Sequence, residues 1–343
     1  DGIRDVAVTG VQTCALPIST ETHRALVSEK RILDIFKGWE REALATNRTE
    51  KTVSEYRATL ERLIKFLSHD DAARVTPADI VAYKDMRLST INERTGSPIS
   101  PKTVGDGDLT ALKSVFGWAA KNHFISSNPA KGIAIKLGEE IRTRGKGYTD
   151  AEAILLLKQA LAYVPSNKEH PKTSAAKQWL PWLCAFTGAR IGEMAQLRKA
   201  DVQQAGSHWV AVITPDAGTV KNKKARDVPL HLQLIEIGFI DFVKASASGY
   251  LFINAANRAE ANRRIGAIKN RVAEFTRQHV DDSRIRPNHA WRHRMVTLCR
   301  RHGVDQELRR MITGHSGEGT DEEVYGDPDG LFREICKLPH YPI

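Results

Sequence analysis

Long apolar runs are missing from this sequence. No stretch of about 18 consecutive hydrophobic residues occurs, so nothing in it reads as a membrane-crossing helix. Cysteine is scarce as well: Cys14, Cys184, Cys299 and Cys336 are scattered over 343 residues without a CxxC pair. That pattern argues against a disulfide framework and against a zinc knuckle, and it fits free thiols in a reducing cytoplasm. Acidic charge is in deficit. The 51 Lys and Arg against 41 Asp and Glu leave a formal charge of +10 and a pI near 9.4, which points to a polyanionic partner, nucleic acid before a membrane surface. What is present in quantity is core-forming material, 41% hydrophobic residues on a chain long enough for two ordinary domains.

Residues 1–18 show neither helical nor strand periodicity. The run VTGVQTCALPI at 8–18 reads like an in-frame translation of a sequencing-adapter oligonucleotide, so 1–18 is set aside as an expected artefact. A signal peptide is the alternative, but Asp1, Arg4 and Asp5 are present and no continuous apolar core of the needed length is. Residues 19–29 read as a tail.

Two helical blocks follow. In TVSEYRATLERLIKFLSH the residues Val53, Tyr56, Leu60, Leu63, Ile64 and Leu67 recur at helical spacing. The next helix is announced by Thr76 as N-cap and Pro77 after it, and another by Ser100 and Pro101, with Gly105 and Gly107 weakening its first turns. The stretch 126–147, rich in Gly, Ser and basic residues, reads as a linker. A second block opens at Thr149 and Glu152, which have capping-box spacing. Helices are expected around WLPWLCAFTG and RIGEMAQL, a strand at HWVAVIT, a hairpin through TVKNKKARDVPL, and helices again after about 255.

Within that block, HAWRH at 289–293 admits three readings: metal site, core, or phosphate grip. Histidines four apart share a helix face and can ligate zinc. However, Ala290 stands where a metallopeptidase has its glutamate, and Arg292 between the two would repel a dication. Pro287 and Asn288 start a helix and Gly303 stops it. On that helix Trp291, Met295, Leu298 and Cys299 form the apolar stripe, with His289, Arg292, His293 and Arg300 expected on the opposite side. An arginine one turn after a histidine, at a helix start, suits a phosphodiester: the guanidinium forks onto two oxygens and the helix dipole adds to it.

The neighbouring motifs strengthen that reading. TGARIGEM puts Gly188 at a helix end and Arg190 and Glu193 on one face of the next helix. The hairpin carries Lys221, Lys223 and Lys224, and TGHSGEGTDEEVYG presents His315 at a turn and Tyr325 ten residues on. Singly, each has a plainer account: Arg190 a surface arginine, Glu193 a solvated acid, Tyr325 a packing tyrosine.

In this order, R-x-x-E, a hairpin lysine, H-x-x-R, G-H-S and a late tyrosine resemble the tyrosine recombinase, or phage integrase, family over about 150–330. The resemblance implies a mainly α fold of the DNA-breaking-rejoining type. It would comprise a helical, SAM-like core-binding domain at 30–125, the basic linker at 126–147, and a mostly helical α+β catalytic domain with a small antiparallel sheet at 148–330. The tail 331–343, with Leu331, Phe332, Ile335 and Leu338 at amphipathic spacing, would pack on its own domain or dock on a neighbouring subunit. The implied activity is site-specific cleavage and rejoining of DNA through a 3'-phosphotyrosyl link. Tyr325 would be the nucleophile, Arg190 and Arg292 would bind the non-bridging oxygens, and His289 would accept or relay the proton. His315 would add a phosphate contact, Glu193 would orient the site, and Lys221 would be the general acid, with Lys223 and Lys224 as competitors. No metal or other cofactor is implied. The implied partner is double-stranded DNA bearing recombination sites, held by a homotetramer, with accessory DNA-bending or excision proteins. Thr313 departs from the family's usual leucine before G-H. Two other readings remain: an integrase-derived DNA-binding regulator without catalysis, and a type IB topoisomerase-like enzyme.

Overall fold

A computed structural model of the chain describes residues 31–93, 95–138, 143–220, 224–314 and 328–343; the readings placed on 1–30 lie outside them. The chain divides into two units, Asp1–Ile141 and Arg142–Ile343.

Short polar residues set the helix starts of the first unit. Helix α1 spans Ile32–Ala45 and α2 spans Glu50–Leu67, the latter capped by Thr49, whose hydroxyl accepts from Thr52 N. Helix α3, Pro77–Ser89, has the expected Thr76 cap, closed into a reciprocal box by Asp79. A short ladder of β1, Ile91–Asn92, and β2, Ser97–Pro98, was not foreseen. Ser100 caps the short α4, Pro101–Thr103, which runs through a π-helical turn at Val104–Leu109 into α5, Thr110–Lys121. The two glycines expected to weaken this start sit in that wider turn, through which the helix continues. The turn contains the buried Asp108, whose carboxylate accepts from Arg62 at 2.7 Å, Arg87 at 2.8 Å and Thr59 at 3.1 Å. Around it, Phe36, Leu60, Leu63, Ile80, Tyr83, Leu112 and Phe116 form the core. The stretch read as a linker is partly packed: Ala130 is buried in this core and Ile133 and Ile135 lie against it.

The second unit is built around a helix whose C-terminal half is apolar on every side and therefore must be buried. After α6, Asp150–Leu161, capped by the Thr149–Glu152 box, comes α7, Pro171–Thr187, in which every residue from Trp179 to Thr187 is buried. Helix α8, Ile191–Ala195, follows, then an antiparallel sheet of β3 (Val202–Ala205), β4 (His208–Ile213) and β5 (Arg226–Pro229) in the order β3-β4-β5. Its register pairs Ile213 with Arg226. The chain continues through α9 (Leu232–Glu236), α10 (Phe239–Ala245), α11 (Arg258–His279), α12 (Pro287–Arg301), α13 (Gln306–Thr313) and α14 (Pro328–Ile335). No helix among the described residues is long and apolar enough to cross a membrane.

In the single chain the C-terminal tail packs on its own unit. Leu331, Ile335, Leu338 and Tyr341 are buried in the second core. The His231 ring accepts from Gln233 N through Nδ1, so its Nε2–H is the donor to Leu338 O at 3.0 Å. The Gln233 side chain brackets Tyr341, donating to its carbonyl at 2.8 Å and accepting from its N–H at 2.7 Å.

Candidate active site

Three chain turns meet at one point of the second unit. Helix α7 ends on Gly188 in the left-handed conformation (φ 57°) and α13 ends on Gly314 in the same conformation (φ 65°). Both are geometries that glycine adopts at little cost. A side chain at Gly188 would come within 2.7 Å of Met295 and 3.0 Å of Thr313. Thr313, unusual in the motif, is thus packed where a branched β-carbon meets the Gly188 backbone. The third turn is the start of β5 at Arg226.

Arg292 enters this junction from α12. It is 7% exposed, and Nη1 donates to Gly188 O at 2.9 Å and to Thr313 O, while Nη2 is buried with no hydrogen-bond partner among the described residues. This corrects the helix-face expectation, which put Arg292 opposite the apolar stripe and so away from packing. Helix α12 is covered on two sides, by α7 and by the end of α13, and only His289, His293, Thr297, Arg300 and Arg301 of the positions after Asn288 stay exposed.

Arg190 is the N-cap residue of α8 and Glu193 its third residue, so the carboxylate folds back on the arginine's own backbone N–H (3.2 Å) and guanidinium (2.9 Å). Glu193 is 2% exposed and also accepts from Arg226 Nη2 at 2.6 Å. Burial raises its pKa, but Arg226 and Arg190 outweigh that and hold it below the usual range. Among the described residues Arg292 has no carboxylate partner. Burial first, then Arg190, push its pKa down to about 10, with Glu193 only partly opposing them. His289 lies on the first turn of α12; burial and then the cations Arg286, Lys269, Arg190 and Arg292 lower its pKa, so the imidazole is neutral at pH 7.

The structure therefore brings together Arg190, Glu193, His289 and Arg292. Lys221, Lys223, His315 and Tyr325 lie outside the described residues; Lys224 is exposed just before β5. Tyr341, the other tyrosine near the C-terminus, is buried, accepts from Arg294 Nε at 3.1 Å, and is held by Gln233 on both backbone groups. Its hydroxyl is spoken for.

Arg226 was not singled out in the sequence beyond its distance from the lysines. Its Nε and Nη1 are buried without a partner among the described residues, and it lies under the Gly314 turn, where an added β-carbon would sit 2.6 Å from its Cζ. Three guanidiniums around one carboxylate, with N–H groups unanswered among the described residues, have the chemistry to hold a compact anion. Among the described residues no three His, Cys, Asp or Glu side chains group closely enough to hold a metal ion.

Comparison with known proteins places this geometry. No curated protein sequence matches the chain. Among solved structures, it is similar to a lambda integrase tetramer bound to a Holliday junction (12% identity, 91% of this chain and 86% of that one, TM-score 0.61). It is likewise similar to the Tn1549 transposon integrase in complex with a circular intermediate DNA (16% identity, 89% and 95%, TM-score 0.53), and to the site-specific recombinase XerH bound to its difH substrate (15% identity, 88% and 85%, TM-score 0.50). At these identities the likeness is one of fold. The model of the phage integrase family matches residues 156–328, from α6 through the arginine cluster to the start of α14. The chain belongs to the phage integrase family.

Proposed function

We propose that this protein is a site-specific DNA recombinase that breaks and rejoins strands through a 3'-phosphotyrosyl intermediate, for integration or excision of a mobile element. The observation that carries this reading is the cluster of Arg190, Arg226 and Arg292 around Glu193, with buried N–H donors left over. A phosphoryl group gaining negative charge on its non-bridging oxygens is what such donors would stabilise. Arg190 and Arg292 supply the phosphate contacts, Glu193 fixes Arg190, and neutral His289 is ready to take the proton from Tyr325. His315 adds a phosphate contact, and Lys221 protonates the departing 5'-oxygen, with Lys223 or Lys224 as substitutes. Tyrosine attack preserves the phosphoester bond energy for religation, and no step in this scheme calls for a cofactor. The partner is duplex DNA in the cytoplasm, held by a homotetramer and assisted by accessory proteins. The recombinases of similar fold that were solved on DNA support that partner.

Incubation with a duplex trapped by a nick near the exchange point should yield a denaturant-resistant protein–DNA adduct in the presence of a chelator, and Tyr325→Phe should bind the same duplex and yield none. Adducts that persist in Tyr325→Phe would remove the assignment of the nucleophile. Relaxation of a supercoiled plasmid without any target site would favour the topoisomerase reading instead.

A further inference from the structure

The exposed face of α12 does not end at the candidate active site. Positions 289, 293, 296, 297 and 300 follow one another along it at helical spacing, and from His293 onward they line a cavity of about 600 Å³ between α12 and the segment 144–150. The segment lies directly on the helix: a β-carbon at Gly147 would be 2.8 Å from Arg294 N. The Tyr148 hydroxyl donates to Pro287 O at 3.0 Å. The cavity is thus bounded on both sides by fixed backbone.

Its walls are cationic, and the protein's own acids do not cancel them. Arg144 is held by Glu152 at 2.8 Å and Asp282 at 2.7 Å. Asp150, the one acid lining the cavity, is engaged with Arg294 at 2.7 Å and Arg301 at 3.9 Å. No described carboxylate pairs with Lys146, His293 or Arg300, all three of which are exposed. After burial, the fixed charges felt by His293 are those of Lys146 and Arg292, so the cavity and the arginine cluster share one field.

We propose that this cavity is a second phosphate subsite, occupied by a backbone phosphodiester of the duplex held at the candidate active site, a few nucleotides from the bond to be broken. The inference rests on the DNA reading above. From His289 to Arg300 the helix rises roughly 16 Å at about 1.5 Å per residue, and one DNA strand places a phosphate every ~3.4 Å of axis. The stripe is therefore long enough to meet more than one phosphate of a strand. A free phosphate would satisfy the same cations, but continuity with the arginine cluster along a single helix face favours a polymer over a small ion.

The test is binding of a 30-base-pair duplex to the full chain as a function of salt. Each phosphate that the protein no longer neutralises lowers the log–log slope by about 0.9, so K146A/R300A should bind more weakly with a slope smaller by about one to two. A control that removes the same charge elsewhere, K158A/K168A, should keep the wild-type slope, and matching thermal melts should show that both variants fold. A K146A/R300A slope equal to that of the wild type, or an equal drop in the control, overturns the subsite. A flat salt dependence in the wild type overturns the DNA reading itself and this inference with it. Titration with inorganic phosphate separates the two sources: saturable binding that disappears in K146A/R300A while the DNA slope stays put would make this a small-anion site and overturn the backbone assignment.

Discussion

Each unit buries one carboxylate between two arginines, and the two arrangements differ in what surrounds them. Asp108 in the first unit accepts from Arg62 and Arg87 at 2.7 and 2.8 Å; Glu193 in the second accepts from Arg190 and Arg226 at 2.9 and 2.6 Å. Around Asp108 the surplus charge reaches water, since the Arg62 side chain is 41% exposed. Around Glu193 a third arginine is added, and that one is buried. The shifts diverge accordingly. Burial works against the charge of Arg62, but Asp108 and Tyr83 more than restore it and its pKa rises. Arg292 meets burial and a neighbouring Arg190, and its pKa falls. One carboxylate–arginine group is closed in charge, although Arg62 Nε is buried with no partner among the described residues, and holds a helical unit together; the other is left short of negative charge, which a bound anion would supply.

The largest expected effects test that contrast directly. Asp108→Ala strands two arginines in the first unit and should cost about 3–5 kcal/mol of stability in denaturant unfolding. Adduct formation per folded molecule should be nearly unchanged. Arg292→Ala should do the reverse, slowing adduct formation by about 10² to 10³ with a smaller stability loss, since it also relieves an under-neutralised buried cation. If Arg292→Ala proves the more destabilising of the two and still forms adduct, the two regions have been assigned the wrong way round.

A closed network also exists within the second unit, and it sharpens the comparison through pH. His231, stacked on Phe186 and donating to Leu338 O, has its pKa lowered by burial to about 4, against about 6.5 for a free imidazole. Its neutral form is the folded one. The unfolded chain therefore takes up a proton first as pH drops. The stability it contributes is complete above pH ~6.5 and is lost progressively down to pH ~4, by about 3 kcal/mol in all. His231→Asn, which keeps an N-cap acceptor for α9, should flatten that part of the stability–pH curve. An unchanged pH dependence in the variant would show that the tail latch is not where the proton acts.

Much of this was legible in the sequence because it is local. Thr49, Thr76, Ser100 and Thr149 each fix a helix start by a bond within three residues, and the apolar spacing of α2 survives as its buried face. The order of R-x-x-E, a hairpin lysine, H-x-x-R, G-H-S and a late tyrosine carried the resemblance to the family. What was not legible depends on residues distant in the chain. Arg226 pairs with Glu193 only because β5 runs beside β4 in a register that the sequence does not state, and nothing near 226 marks it apart from the other basic residues of the hairpin. Arg292 looked solvent-facing because helical spacing knows one partner surface, whereas α12 has two. Gly105 and Gly107 signalled weak first turns, and a π-helical turn accommodates them and brings Asp108 into contact with Arg62 and Arg87.

The smallest expected effect concerns the contact between Arg226 and the Gly314 turn. Alanine at 314 would meet two costs of different origin: a left-handed backbone at φ 65°, about 1–2 kcal/mol for a residue with a β-carbon, and a collision 2.6 Å from Arg226 Cζ. The second can be avoided only if Arg226 moves, which loosens its 2.6 Å bond to Glu193 and with it the carboxylate that holds Arg190. Gly314→Ala should therefore slow adduct formation as well as lower stability. In an Arg226→Ala background the collision is gone and only the backbone cost remains, so the two substitutions should couple by about 1 kcal/mol, well inside the range seen for residues in contact. Additive effects in this double-mutant cycle, on stability and on rate alike, would mean that Arg226 yields freely, and that the open cluster is less rigid than the closed one around Asp108.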